Sequence, residues 1–280
     1  MGIVLGVGTT IGFGKISVGK IIVTTVPEDL ARFADDLGRR VTKLRLERGS
    51  VQQNNLEWNP AEFERISIMG FRGEAALYRG FGGRDAGAEW DNRVKLRGTH
   101  KSWDIKFRGN YYDAKAGDKP DHPLIVIHDQ IVEHHRYVLV DIQHWPEVAF
   151  IAWCTGAAVL KSRISKGKGK KRPAHFIDRE DPLLRSVLEL PFSPATTKII
   201  EIGYILEHEG SYVERIEATE WQTVSSYFVF TKDMAKAKLF SYNDLYWKQA
   251  TSPPGILFMI GFSRGRAIRI ARTFPLDVVN

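Results

Sequence analysis

From Leu30 the chain repeats apolar residues every three or four positions, at Leu30, Phe33, Leu37, Val41 and Leu44. That period lays them along one stripe of a helix. Pro27 presets φ ahead of it, Glu28 and Asp29 suit the positive end of the helix dipole, and Gly49 supplies a stop. A polar stretch, SVQQNNLEW, then leads to Asn59, Pro60 and Glu62, which read as N-cap, first helical residue and capping-box acid. The second helix carries Phe63, Ile66, Gly70, Gly73, Leu77 and Phe81 on its stripe, and Gly80, Gly82, Gly83 and Gly87 break it. Glu74 shares that stripe. A carboxylate among core positions is normally paired or bound to a metal; a salt bridge to Arg72 or Arg79 at the stripe's edge is the plainer alternative.

Beyond the glycines the period falls to two. VKLRG (94–98) predicts a strand, and KSWDIKF (101–107) predicts the next, with Trp103, Ile105 and Phe107 alternating with Asp104 and Lys106. Alternation places Asp104 and Lys106 on one face, about 6.5 Å apart along the strand. LIVIH (124–128), RYVLVDIQ (136–143) and EVAFIAW (147–153) are further strands, and HFIDREDPLLRSV predicts a short strand and a closing helix. Both ends look different. Residues 3–25 are Gly-rich with alternating Ile and Val, a hairpin pattern. From about Leu190, KIIEIGYIL, SYVERIEA, SSYFVFT, GILFMIGF and RAIRIART are short alternating strands, with YNDLYWKQA as a short helix.

Composition narrows the class. With 43% apolar and 26% charged residues in 280, the chain has the makings of an ordinary globular core. No run of 18 apolar residues is present, so no membrane span is expected. The first 25 residues lack a basic segment followed by an apolar one, and Gly6 stands where myristoylation wants Ser or Thr. The single cysteine, Cys154 in AFIAWCTG, excludes an internal disulfide and predicts a buried core thiol in a cytoplasmic, reducing setting. The net charge of +7 points to a polyanionic partner. It is concentrated in KSRISKGKGKKRP (161–173), where Lys161, Arg163, Lys166, Lys168, Lys170, Lys171 and Arg172 are interspersed with glycine. Such a loop suits contact with a phosphate backbone, or simply a solvated surface.

Several familiar chemistries drop out. GVGTTIGFGK resembles a phosphate loop, but five residues rather than four lie between Gly8 and Gly14, and Ile16 follows Lys15, so the Walker spacing fails. His128, His134, His135 and His144 lack cysteine partners, and adjacent His134 and His135 point opposite ways on a strand, which argues against zinc. No G-x-S-x-G turn is present for a serine hydrolase.

What remains is an ordered set of charged groups: Glu74 on a helix, Asp91 ahead of the hairpin, and Asp104 and Lys106 on a strand. Phosphodiester hydrolysis needs a divalent ion held by hard oxygen ligands, which two carboxylates and the Ile105 carbonyl can supply. An ammonium beside them can orient water and offset transition-state charge. This order resembles the PD-(D/E)XK nuclease superfamily, a helix Glu, then Asp, then (D/E)-x-K on a strand. The likeness is nearest to a phage- and mobile-element-associated branch with a G-x-x-G-E-x-A helix, and covers about residues 26–190. It implies a restriction-endonuclease-like α/β core, a mixed β-sheet flanked by helices, and is silent on the ends, where the alternation alone predicts a hairpin extension at 1–25 and a β-rich module at 191–280. It also implies Mg²⁺-dependent DNA cleavage, with Mn²⁺ as a substitute ion. In this reading Asp91, Asp104, Ile105 and Glu74 serve the metal, Lys106 serves the water, and a double-strand cut would take a homodimer. The sequence departs from the pattern at Asp91, which no proline precedes, so Glu89 or Asp85 is the alternative there. Two other classes compete: a non-catalytic nucleic-acid-binding protein on the same fold, and a phage structural or interaction protein.

Overall fold

The computed structural model describes residues 19–47, 59–90, 103–119, 122–165, 172–218, 226–238 and 265–275. In chain order the elements begin with β1 (Gly19–Thr25), α1 (Glu28–Glu47), α2 (Pro60–Gly80), β2 (Glu89–Trp90), β3 (Ile105–Phe107), β4 (Asn110–Gly117) and β5 (Leu124–Ile127). They continue with β6 (Arg136–Asp141), β7 (Glu147–Thr155), α3 (Gly156–Val159), β8 (Ile164–Ser165), β9 (Ala174–Ile177) and β10 (Arg185–Ser186). The last are β11 (Thr197–His208), β12 (Ser211–Ala218), β13 (Ser226–Thr231) and β14 (Gly265–Pro275). The chain is α/β and divides into two units, one built mainly from Ile21–Ile199 and the other from Ile200–Phe274.

Both long helices form where the apolar period places them. Asn59 caps α2, its side-chain oxygen accepting from the backbone N–H of Ala61 at 3.1 Å and of Glu62 at 3.3 Å. The Glu62 side chain turns outward to Arg65. Ala34, Leu37 and Val41 of α1 pack on Phe71 and Ala75 of α2. The helices touch at Gly38, where an added Cβ would stand 2.6 Å from Ile68 Cα. This contact line turns Phe33, expected on the buried stripe, out to its rim, where it is 42% exposed.

In the larger unit the strands run in the order β1-β7-β6-β4-β3-β2, with β10 also pairing with β7. The β4–β6 pair is parallel and the other neighbours are antiparallel, so the sheet is mixed. α2 lies so close on one face that a Cβ on Gly73 would meet Ala116 Cβ at 2.8 Å and Ala114 Cβ at 3.4 Å. Phe81, just past α2, stacks on Phe107 and Phe192. A second antiparallel sheet, β5-β9-β8, belongs to the other core cluster. There Leu124, Val126 and Ile177 join Tyr137, Leu139 and Cys154.

One strand is new and one sequence expectation fails. The segment 110–117, unassigned by periodicity, forms β4 at the centre of the hairpin region. The closing helix after HFID does not form; Arg185 and Ser186 pair with β7, and Val187–Glu189 make one 3₁₀ turn. The Asp181 carboxylate accepts from Leu183 N, and Trp153 Nε1 donates to Ser186 O at 3.0 Å, so side chains and pairing take the backbone groups a helix would need. The strand expected at 94–98, the hairpin within residues 3–18, and the segments GILFMIGF and YNDLYWKQA lie outside the described residues.

The smaller unit is β-rich, as its alternation suggests: β11, β12 and β13 form an antiparallel meander and β14 pairs with β11. No helix among the described residues is long and apolar enough to cross a membrane.

Candidate active site on the β3–β4 hairpin

Arg108 and Gly109, at φ 47° and 76°, join β3 to β4 as a two-residue turn with both residues left-handed. That conformation matches the strand twist and is easy for glycine. Register follows from the turn: Phe107 opposes Asn110, Lys106 opposes Tyr111, and Ile105 opposes Tyr112. Ile105, Phe107 and Tyr112 are buried, with Phe107 and Tyr112 against Phe81. Since Ala114 and Ala116 meet α2, alternation sends Tyr111, Asp113 and Lys115 to the opposite face of β4.

Asp104, just before β3, is 8% exposed, and its Oδ2 accepts from the backbone N–H of Ala114 at 3.0 Å. Asp113 is 7% exposed, with its Oδ2 3.2 Å from His135 Nδ1. Burial raises the Asp113 pKa above the usual carboxylate value; Lys115 pulls it down, Asp104 pushes it up again, and the His135 contact lowers it. Lys115 Nζ stands 5.3 Å from the centre of the Tyr137 ring. Tyr111 covers His135, with ring centres 5.4 Å apart. Two neighbouring buried carboxylates, one pushed toward protonation, form an electrostatic arrangement that a divalent cation relieves. Their oxygens, with the Ala114 carbonyl and water, match the hard ligands Mg²⁺ or Mn²⁺ takes.

The residues singled out from sequence are distributed as follows. Glu74 is 5% exposed on α2, and accepts from Trp90 Nε1 at 2.8 Å. Arg72 is taken by Asp35 in a two-bond pair at 2.7 and 2.8 Å. Asp104 and Ile105 are buried at the start of the hairpin, and Lys106 is half-buried opposite Glu89 and Tyr111. Asp91 lies outside the described residues, and its alternatives Glu89 and Asp85 are exposed. Among the described residues no three His, Cys, Asp or Glu side chains gather closely enough to hold a metal by themselves. Glu74 is therefore not gathered with Asp104 and Asp113 into one three-carboxylate set.

Of the basic set, Lys161 and Arg163 are exposed and Arg172 is ion-paired with Asp129. Lys166, Lys168, Lys170 and Lys171 fall outside the described residues, between the paired strands β8 and β9. The histidines do not converge: His128 contacts His175, and His135 contacts Asp113. Cys154 is buried and its thiol is pushed up to about 12 by burial, so it is the inert core residue expected.

Asp113 and Lys115 do not figure in the sequence reading, and His135 figures there only among the histidines set aside for zinc. A signal for the first two was present: D-A-K at 113–115 repeats the D-I-K spacing one strand later, nine positions after Asp104. No family model matches the chain, and neither a curated protein nor a solved structure does.

Proposed function

We propose that this chain is a metal-dependent deoxyribonuclease on a PD-(D/E)XK-type core, with its reactive centre at Asp104, Asp113 and Lys115. The observation that carries the reading is the buried Asp104–Asp113 pair, with Lys115 two positions along the same strand. In this assignment Asp104 takes the role of the isolated Asp and Asp113-Ala114-Lys115 that of the D-x-K triplet, one strand beyond the D-I-K at 104–106.

Asp104 and Asp113, with the Ala114 carbonyl, would hold Mg²⁺ or Mn²⁺. The ion supplies Lewis-acid polarisation of the phosphodiester and a lowered pKa for a bound water. The chain's own groups do the rest. The Ala114 N–H orients the Asp104 carboxylate, and His135 orients that of Asp113. The Lys115 ammonium offsets charge building on the phosphate oxygens as the water attacks. Glu74 acts at a distance by fixing the Trp90 indole and with it the edge strand β2 against β3. Asp91, next to Trp90 in sequence, is a further oxygen donor by position alone. Lys161, Arg163 and the lysines that follow supply phosphate contacts, and a homodimer supplies two centres where both strands are cut.

The test is incubation of purified protein with supercoiled plasmid in Mg²⁺, Mn²⁺ or EDTA. Wild type is expected to nick or linearise the plasmid with either ion and to do nothing in EDTA. Lys115→Met should abolish cleavage, and Lys106→Met should retain it. The reverse pattern would return the triplet to 104–106. Salt-sensitive DNA binding without metal-stimulated cleavage would replace the reading by that of a non-catalytic binder.

A further inference from the structure

An open cleft of about 880 Å³ lies between the start of α1, the end of α2, β2 and the residue leading into β3. Its volume is in the range of small-molecule sites, about 300–1,000 Å³. Four aromatic side chains form its walls: Phe33, Tyr78, Trp90 and Trp103. Trp90 is the fixed centre, held by Glu74, with Phe33 edge-on at 5.7 Å and Tyr78 tilted at 5.9 Å. Phe33 is 42% exposed, a large cost for a ring that a stripe of core residues could have covered. Trp103 stands on the other side, and its ring centre lies 5.8 Å from that of Tyr111, the ring that covers His135 beside Asp113, so Trp103 links the cleft to the proposed reactive centre.

The polar lining decides what such walls would hold. Asp29, Asp85 and Glu89 contribute three carboxylates against Arg79 and Arg84. A formal excess of negative charge disfavours a phosphate chain inside the cleft. A neutral, flat ring edged with amines and acceptors fits better: aromatic faces stack on it, and carboxylates accept from exocyclic amines.

We propose that this cleft binds an unpaired, amine-bearing nucleobase of the strand whose phosphodiester lies at Asp104 and Asp113. The inference rests on the nuclease reading above and adds its substrate class: single-stranded segments, flaps, frayed ends and the unpaired stretches that negative supercoiling opens in a plasmid, rather than relaxed duplex. Thymine, which lacks an exocyclic amine, is the disfavoured base.

Binding is measured in EDTA, so that no cleavage intervenes, by anisotropy of 5′-labelled 12-mers: oligo-dC, oligo-dT, an abasic strand and a duplex. Oligo-dC should bind several-fold more tightly than oligo-dT, and both more tightly than the abasic strand and the duplex. Phe33→Ala should weaken oligo-dC binding about tenfold, the scale of one lost base stack, and leave the abasic strand unchanged. Glu89→Gln should narrow the dC-to-dT ratio. Phe33→Ala removes a half-exposed ring, and a melting curve matching wild type confirms that it folds; Trp103→Leu repeats the test from the opposite wall. Equal binding of base-bearing and abasic strands overturns the proposal, as does unchanged oligo-dC binding in both aromatic variants. Plasmid cleavage by the same preparations separates the two ideas. Base-dependent binding without any cleavage overturns the nuclease reading alone, and cleavage with base-blind binding overturns the cleft alone.

Discussion

Asp113→Asn removes one negative charge from the buried pair while keeping the side chain's size and an oxygen for His135. In wild type the folded-state pKa of Asp113 is raised, first by burial and then by Asp104. In the unfolded chain the group titrates near about 3.9. Between those two values the folded protein holds a proton that the unfolded chain has released. Stability therefore falls as pH rises through that window, by up to about 1.4 kcal/mol per pH unit for a single proton, and then levels off. Below the unfolded value the contribution is fully present. In a unit of this size each kcal/mol moves a melting transition by about 2–4 °C. The asparagine variant carries no such linkage, so its melting temperature should be flatter between pH 4 and the native pKa, and higher than wild type at neutral pH in EDTA.

Under the proposed assignment, added metal should reverse the order. A cation held by two carboxylates stabilises the folded state by about 2.7 kcal/mol at a concentration one hundred times its dissociation constant. Mn²⁺ at neutral pH should therefore raise the wild-type transition by several degrees and leave Asp113→Asn nearly unmoved. The assay is far-UV circular dichroism melting at pH 4 to 8, with and without Mn²⁺. A variant that responds to Mn²⁺ as wild type does would refute the assignment of Asp113 as a ligand. A wild-type profile parallel to the variant's in EDTA would refute the electrostatic account.

Two further outcomes test the fold that carries the site. Gly38→Ala places a Cβ 2.6 Å from the Ile68 backbone, so α1 and α2 must separate, and a loss of about 1–3 kcal/mol is expected in denaturant melts; an unchanged midpoint would mean that the helices do not approach there. Cys154 should resist alkylation by a thiol reagent at pH 8 until denaturant is added, because it is buried and its thiol is pushed up to about 12; rapid labelling of the native protein would contradict that packing.

The helices were legible because amphipathic spacing, an N-cap and glycine stops all agree, and tertiary packing shifts only details such as Phe33. β4 was not legible, for a reason visible in its own residues. NYYDAKAG places alanines and glycine where α2 presses on the sheet, since Gly73 leaves no room for larger side chains at Ala114 and Ala116. Small residues give a weak apolar signal, and the charged residues alternating with them complete the look of a polar loop. The closing helix fails in the opposite way: Leu183, Leu184, Val187 and Leu190 suit a helix, but pairing with β7 takes Arg185 and Ser186.

The same effect bears on which D-x-K the sequence brings forward. An apolar flank of Trp, Ile and Phe marks 103–107 as a strand, so attention falls on the D-x-K inside it. The second D-x-K stands between Tyr112 and Ala116 with Ala114 inside it, so no run of large apolar residues alternates with its charges. Burial does not separate the two, since both aspartates are buried and both lysines half-buried; their places in the sheet do. Lys106 is half-buried on a three-residue strand next to the edge strand β2, opposite the exposed Glu89, which is how an ordinary solvated ion pair is placed. Asp113 has β3 on one side and the parallel strand β6 on the other, with His135 against its carboxylate. Burial and Asp104 make its charge costlier than Lys115 and His135 offset, and that cost is the ground for the proposed cation. Glu74 follows the same logic to a different end: it was rightly singled out as a carboxylate out of place on an apolar stripe, and the indole of Trp90 donates to it, at the wall of the aromatic cleft.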